Sequence, residues 1–201
     1  ANPDVYLFID DDVIVPPHTS KLVDEALQLG VVSGLYFNRR NPYTPQLYKR
    51  ATEPEYEALG VVYWPLFNYP EGLMVVDACG GGVLAIHKDI LVELEVLAVQ
   101  KQKVLDEAYD RLKNKYPDDA ADLYQLYNHR PKMSPWFEFT DAKGEDMYFC
   151  EQVRDLGKVI WADTTVKCEH LTPVPIGEGH FNWIKAQGLL RKVGIDGKEI
   201  V

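Results

Sequence analysis

The first concentration of apolar residues, Val5-Tyr6-Leu7-Phe8-Ile9, is continuous rather than alternating, which predicts a strand buried on both faces. Pro16 and Pro17 stop it, and Thr19 or Ser20 is placed to cap a helix running to Gly30. VVSGLYF (31–37) reads as the next strand. Residues 39–54 hold three prolines and read as a loop with one short strand around QLYKR. LMVVDACGGGVLAI (73–86) reads as a strand, a glycine break and a second strand.

The period then changes. Between Asp89 and Tyr116 there is no glycine or proline, and Leu94, Leu97, Ala98, Leu105, Ala108, Tyr109, Leu112 and Tyr116 recur at helical spacing. A helix of that length spans roughly 40 Å. DDAADLYQLYNHR, after Pro117, supplies acidic first-turn residues and a shorter second helix. Residues 89–128 therefore read as a helical hairpin inserted into an α/β chain, its apolar face packing on the core or on a second copy of the chain. SPWFEF follows, then a helix over GEDMYFCEQVRDLG closing at Gly157, a strand-rich stretch at 159–171 and a last helix around 181–192. No internal repeat or second domain is visible, so 1–201 reads as one domain.

The chain has 201 residues, 46% of them hydrophobic, enough to bury a core without staples. Its formal net charge of −10 argues against a nucleic-acid partner, which calls for a basic stripe. Phosphates can still be held locally, by a metal ion or by helix N-termini. Three cysteines (Cys79, Cys150, Cys168), without a C-x-x-C, argue against a disulfide scaffold or zinc cluster and favour a reducing, cytoplasmic setting. No apolar run reaches membrane-span length, and no secretory signal opens the chain. The first residues lack an initiator Met and run almost at once into a strand. That leads us to expect an upstream part of the parent protein.

Four stretches can carry chemistry. Asp10-Asp11-Asp12 ends the first strand, where an open α/β sheet binds ligands, and such carboxylates suit Mg²⁺ or Mn²⁺. Cys79-Gly80-Gly81-Gly82 lets the backbone approach a ligand, or forms a bulge or tight turn; it matches no Walker A, which removes a P-loop reading. In PWFEF…GED, Glu145 and Asp146 sit at a helix start beside Trp136 and Phe137, rings able to stack on a sugar face. Acids there serve the helix dipole, or one takes a proton from an acceptor hydroxyl. His170 lies two residues from Cys168 with no further zinc ligand at proper spacing, and alone reads as an ordinary histidine.

In this order, FIDDDV, VVSGLY, VDACGGGVLAI, PWFEF, GEDMYFCEQVRDLG and VIWADTTVKCEH resemble the GT-A glycosyltransferases, particularly inverting enzymes of the family-2 type, over residues 5 to about 171. The resemblance implies a Rossmann-like α/β core with a mixed central sheet, here N-terminally truncated and carrying the helical hairpin. It implies a dication (Mn²⁺ or Mg²⁺) held by Asp10, Asp12 and His170. It also implies a UDP- or GDP-linked sugar donor lined by Asp11, Asp77 and Gly80 to Gly82. The acceptor would be a glycan or other hydroxyl compound against Trp136 and Phe137. Asp146 would be the base and Glu145 would orient the acceptor. The nucleotide-binding units that such enzymes place before the Asp-x-Asp are not in this sequence. Two rivals remain: a non-catalytic glycan-binding or scaffold fragment, and a haloacid-dehalogenase-type phosphatase with Asp10 as nucleophile and Asp12 as acid. The latter wants Thr or Val where Ile14 stands, and leaves PWFEF and His170 without a role.

Overall fold

A computed structural model describes residues 3–40, 42–128, 136–138, 144–172, 176–188, 192–193 and 199–200. In chain order its elements are β1 (Val5–Ile9), β2 (Val13–Ile14), α1 (Lys21–Leu29), β3 (Val31–Leu35), β4 (Leu47–Arg50), α2 (Glu53–Leu59), β5 (Tyr63–Pro65) and β6 (Leu73–Val76). They continue with β7 (Ala78–Cys79), β8 (Val83–His87), α3 (Lys88–Lys115), α4 (Ala120–Asn128), α5 (Glu145–Asp155), β9 (Ile160–Lys167), β10 (Glu169–His170) and α6 (Glu178–Ala186).

The chain is a mixed α/β protein. Its central sheet runs β1-β8-β3-β9-β6, with β3 and β9 parallel and the other neighbours antiparallel. β3 is buried at every position, as a middle strand with both faces covered must be. One face packs on α1, where Leu22 and Ala26 meet Val32, Val83, Ala85 and Val166. The other packs on the first turns of α3 and on α5, through Leu84, Ile86, Ile90, Leu94, Phe149 and Val153.

β1 corrects the reading of a strand buried on both faces. It is an edge strand that pairs with β8 alone among the described residues, and Tyr6, Phe8 and Ile9 stay about two-fifths exposed, at 38%, 39% and 43%. Its apolar continuity mimics a central strand because Val5 and Leu7 pack toward α1 while Phe8 meets Phe137 edge-on. α1 ends at Gly30 with φ +90°, but Ser20 makes no capping bond, and the Thr19 hydroxyl instead donates to the Pro16 carbonyl.

The segment at 39–65 is richer than a loop. β4 joins β5 and β7 in a three-stranded sheet, with α2 between β4 and β5. Residues 73–87 form three strands, because Asp77 breaks the first run before the glycines break the second. α3 has 28 residues as the periodicity requires, and α4 returns along it. The buried positions of α3 among the described residues, Ile90, Leu91, Leu94 and Ala98, lie toward its start, and Lys101 ties it further to Gln152 and Asp155 of α5. The last helix runs over Glu178–Ala186, earlier than the range 181–192, and Gly188 with φ +65° follows its end.

Candidate functional site

The residues after β1 turn sharply: the Asp10 N–H donates to the Gly82 carbonyl and the Val13 N–H to the Asp10 carbonyl. That turn seats Asp10 beside the glycine run and leaves Asp11 exposed at its tip. The short pairing of β2 with β10 then sets His170 opposite Val13, and the Leu171 N–H reaches the Asp12 carbonyl at 2.6 Å. Two segments more than 150 positions apart are thereby locked together, and the His170 Nε2 faces Asp12 Oδ1 at 3.9 Å. The Nδ1–H of His170 donates to the Phe37 carbonyl, because a carbonyl can only accept. In the neutral ring this leaves the Nε2 lone pair turned toward Asp12, the tautomer that a metal-ligating histidine needs.

Across the glycine run stands Asp146, in the first turn of α5. Its carboxyl accepts the Gly81 N–H, and burial pushes its pKa up to about 6; Glu145 and Asp10 add to the rise, and the Gly81 bond opposes it. A Cβ on Gly81 would stand 2.5 Å from Asp146 Oδ1, so only glycine leaves room for this carboxyl. The flanking glycines answer to a different neighbour. A Cβ on Gly80 would lie 1.9 Å from the Tyr36 hydroxyl, and one on Gly82 would lie 2.8 Å from its ring. Gly82 donates its N–H to that hydroxyl at 2.9 Å. What the glycines accommodate in this structure is therefore Tyr36 and Asp146.

Tyr36 links the two halves. Its ring meets His170 edge-on at 5.3 Å between centroids, while its hydroxyl holds Gly82. Burial, and then the charge of Asp146, raise its pKa well above that of an exposed tyrosine. Tyr48 lies behind, donating to Gln46 Oε1 at 2.8 Å, its pKa raised by burial to about 12. Sequence reasoning passed over Tyr36, Gln46 and Tyr48. The one local signal was the glycine run itself, which announces a close approach without saying by what.

Three expected residues are employed otherwise. The Asp77 carboxylate accepts the Arg50 N–H at 2.9 Å and pairs with Lys49 at 3.2 Å. Burial opposes its ionisation, yet those two partners outweigh burial and hold its carboxyl below the usual range. Phe137 stacks on Phe149 at 4.7 Å, so one of its faces is spent on the core. Trp136, 38% exposed, donates its indole N–H to the Leu91 carbonyl of α3. Half of SPWFEF lies outside the described residues.

No group of three or more His, Cys, Asp and Glu side chains converges into a cage for a metal ion among the described residues. Asp12 and His170 nevertheless fit one hard cation as a two-residue site. A separation of 3.9 Å is within the span of two ligands on one ion, and Mg²⁺-type ions commonly take only one or two protein groups, with phosphate and water completing the shell. Asp10 lies on the Asp146 side of the glycines, so the structure does not bring all three expected ligands together. Asp12 is also met from the other side: Arg39 Nη1 lies 2.6 Å from its Oδ2.

No protein-family model matches the chain, and no curated protein matches it. Among solved structures the chain is similar to one described as the crystal structure of A197 from STIV. The identity is 14% and the TM-score 0.42, over 98% of this chain and 65% of that one.

Proposed function

We propose that this chain carries the catalytic centre of a GT-A-type glycosyltransferase, which moves a sugar from a nucleotide-sugar donor to an acceptor hydroxyl with inversion. One observation carries the reading. A mostly buried carboxyl poised near neutrality, Asp146, packs on one glycine of a crowded run, and Tyr36, packed on the flanking glycines, connects it to a second pole of Asp12 with His170. Mixed strand directions around β3 are compatible with the Rossmann-like core that the sequence motifs imply.

Asp12 and His170 would hold the dication, with His170 oriented from behind by the Phe37 carbonyl. When bound, the ion supplies Lewis-acid neutralisation of a leaving diphosphate. Asp146 takes the proton of the incoming hydroxyl at its carboxylate, and a pKa near 6 keeps it ionised at neutral pH while leaving it more basic than an exposed aspartate. The Gly81 N–H fixes the direction of that carboxylate. Glu145, one residue earlier in the same turn, would orient the acceptor.

The test is transfer by the whole chain from UDP- and GDP-linked sugars to glycan acceptors with Mn²⁺ present. Asp146→Asn should still bind donor while transfer falls about 10²–10⁴-fold, with Glu145→Gln costing less and mainly in acceptor KM. In the wild type, kcat/KM should rise with pH through about 6, where Asp146 loses its proton. Wild-type transfer by Asp146→Asn, or a product that keeps the donor's anomeric configuration, would refute the assignment. Donor or glycan binding without transfer under every condition would favour the non-catalytic reading.

A further inference from the structure

The geometry points to Arg39 as an exchangeable counter-cation, which neutralises Asp12 when the site is empty and turns to the diphosphate of the ligand when the site fills. The inference rests on the metal and donor reading above and adds to it a residue that neither the aspartate motif nor the histidine announces.

Asp12 uses its two carboxylate oxygens differently. Oδ1 faces His170 at 3.9 Å, and Oδ2 takes the guanidinium of Arg39 at 2.6 Å. A dication bound by Asp12 and His170 would put its positive charge beside that guanidinium, and like charges at such a separation repel. Arg39 and the ion therefore compete for Asp12.

The loop that carries Arg39 is built to keep it near the site after release. Phe37, two residues earlier, gives its carbonyl to His170 Nδ1 and bridges to Pro45. The Asn38 N–H donates to the Thr44 carbonyl at 2.8 Å, and the Arg40 N–H to Asn38 Oδ1 at 3.0 Å. Tyr43 turns the loop with φ +53°, a conformation non-glycine residues seldom adopt. One loop thus sets the histidine and delivers the arginine to the aspartate. The Arg39 side chain is 57% exposed, so leaving Asp12 costs it little: exposed ion pairs are weak, and a long side chain regains freedom on release. Its planar fork of donors suits phosphate oxygens in two-point contact. In a chain of net charge −10, a cation waiting at the acidic pole also makes entry of a polyanion feasible.

Four forms of the full chain test this: wild type, Arg39→Gln, Arg39→Lys and Asp12→Asn. Free Mn²⁺ is titrated and followed by its electron paramagnetic resonance signal. The Mn²⁺–pyrophosphate complex is then titrated and followed by water-proton relaxation. Arg39→Gln should bind Mn²⁺ alone about 3- to 10-fold more tightly, since its competitor is gone, and the complex at least about 10-fold more weakly, each tenfold step being about 1.4 kcal/mol. Arg39→Lys should keep the competition for Mn²⁺ and lose most of the two-point hold on pyrophosphate. If Mn²⁺ binding is abolished by Asp12→Asn yet unchanged by Arg39→Gln, the exchange is overturned while the metal site stands. If Asp12→Asn binds Mn²⁺ as the wild type does, or no form binds it, the metal reading and this inference fall together.

Discussion

Asp146 holds its proton more tightly than an exposed aspartate because burial outweighs the Gly81 N–H. Its folded pKa is raised, so between about pH 4 and 6 the native chain binds more protons than the unfolded one, and stability falls as pH rises across that window. The contribution is fully present below about pH 4 and gone above about 6; at 1.36 kcal/mol per unit it amounts to about 3 kcal/mol at most. Asp146→Asn keeps an oxygen for Gly81 and removes the titration. It should be more stable than wild type at pH 7.5 by about 1–3 kcal/mol, with the difference vanishing near pH 4, as read by urea unfolding at the two pH values. An advantage of equal size at both would show that ionisation of Asp146 costs the fold nothing. The acid at a helix start was legible in GED, since α5 begins at Glu145. What tunes it was not legible, because Gly81 and Asp10, which act on its charge, come from the turn before β8 and the turn after β1. Arg39 escaped for the same reason: it reaches Asp12 from the loop after β3, a contact between distant positions that no local pattern encodes.

At the scale of elements, α3 divides into an anchored and a projecting part. Leu94 is 1% exposed and packs with Leu84, Ile86 and Phe149, whereas Leu112 is 44% exposed. Leu94→Ala should cost about 2–5 kcal/mol, as buried leucine truncations do, and Leu112→Ala should cost below about 1 kcal/mol by the same urea assay. Equal losses would mean that the far part of the helix is buried against something, a second copy of the chain included. The periodicity of α3 was plain because 28 residues without glycine or proline average out local noise. α2 was passed over although its start is written in the chain: Glu55 Oε2 accepts the Thr52 N–H at 2.7 Å, with Pro54 in the first turn and Gly60 at the end, φ +61°. Seven residues carry too little periodicity to stand out from a proline-rich setting. No helix among the described residues is long and apolar enough to cross a membrane.

Across the whole molecule, the α/β class followed from the alternation of runs, but the order β1-β8-β3-β9-β6 did not. Strand order depends on pairings between residues dozens of positions apart, such as Val31 with Ile160, which composition does not encode. The place of β1 at the margin of the sheet has a consequence for the chain in solution. VYLFI is short, strongly β-forming and uncharged, the kind of segment on which chains stack edge to edge. Asp4 precedes it and Asp10 to Asp12 follow it, so every would-be neighbour brings its own carboxylates against these. The acidic trio thereby doubles as a colloidal guard whose strength is set by salt. Light scattering at fixed protein concentration and pH 8 should stay flat at low ionic strength and climb as salt screens these charges. Tyr6→Lys, which plants a charge on the bare margin, should delay the climb; an identical curve would place the sticky surface elsewhere. If it does delay the climb, the residues that give the site its chemistry also keep the chains apart.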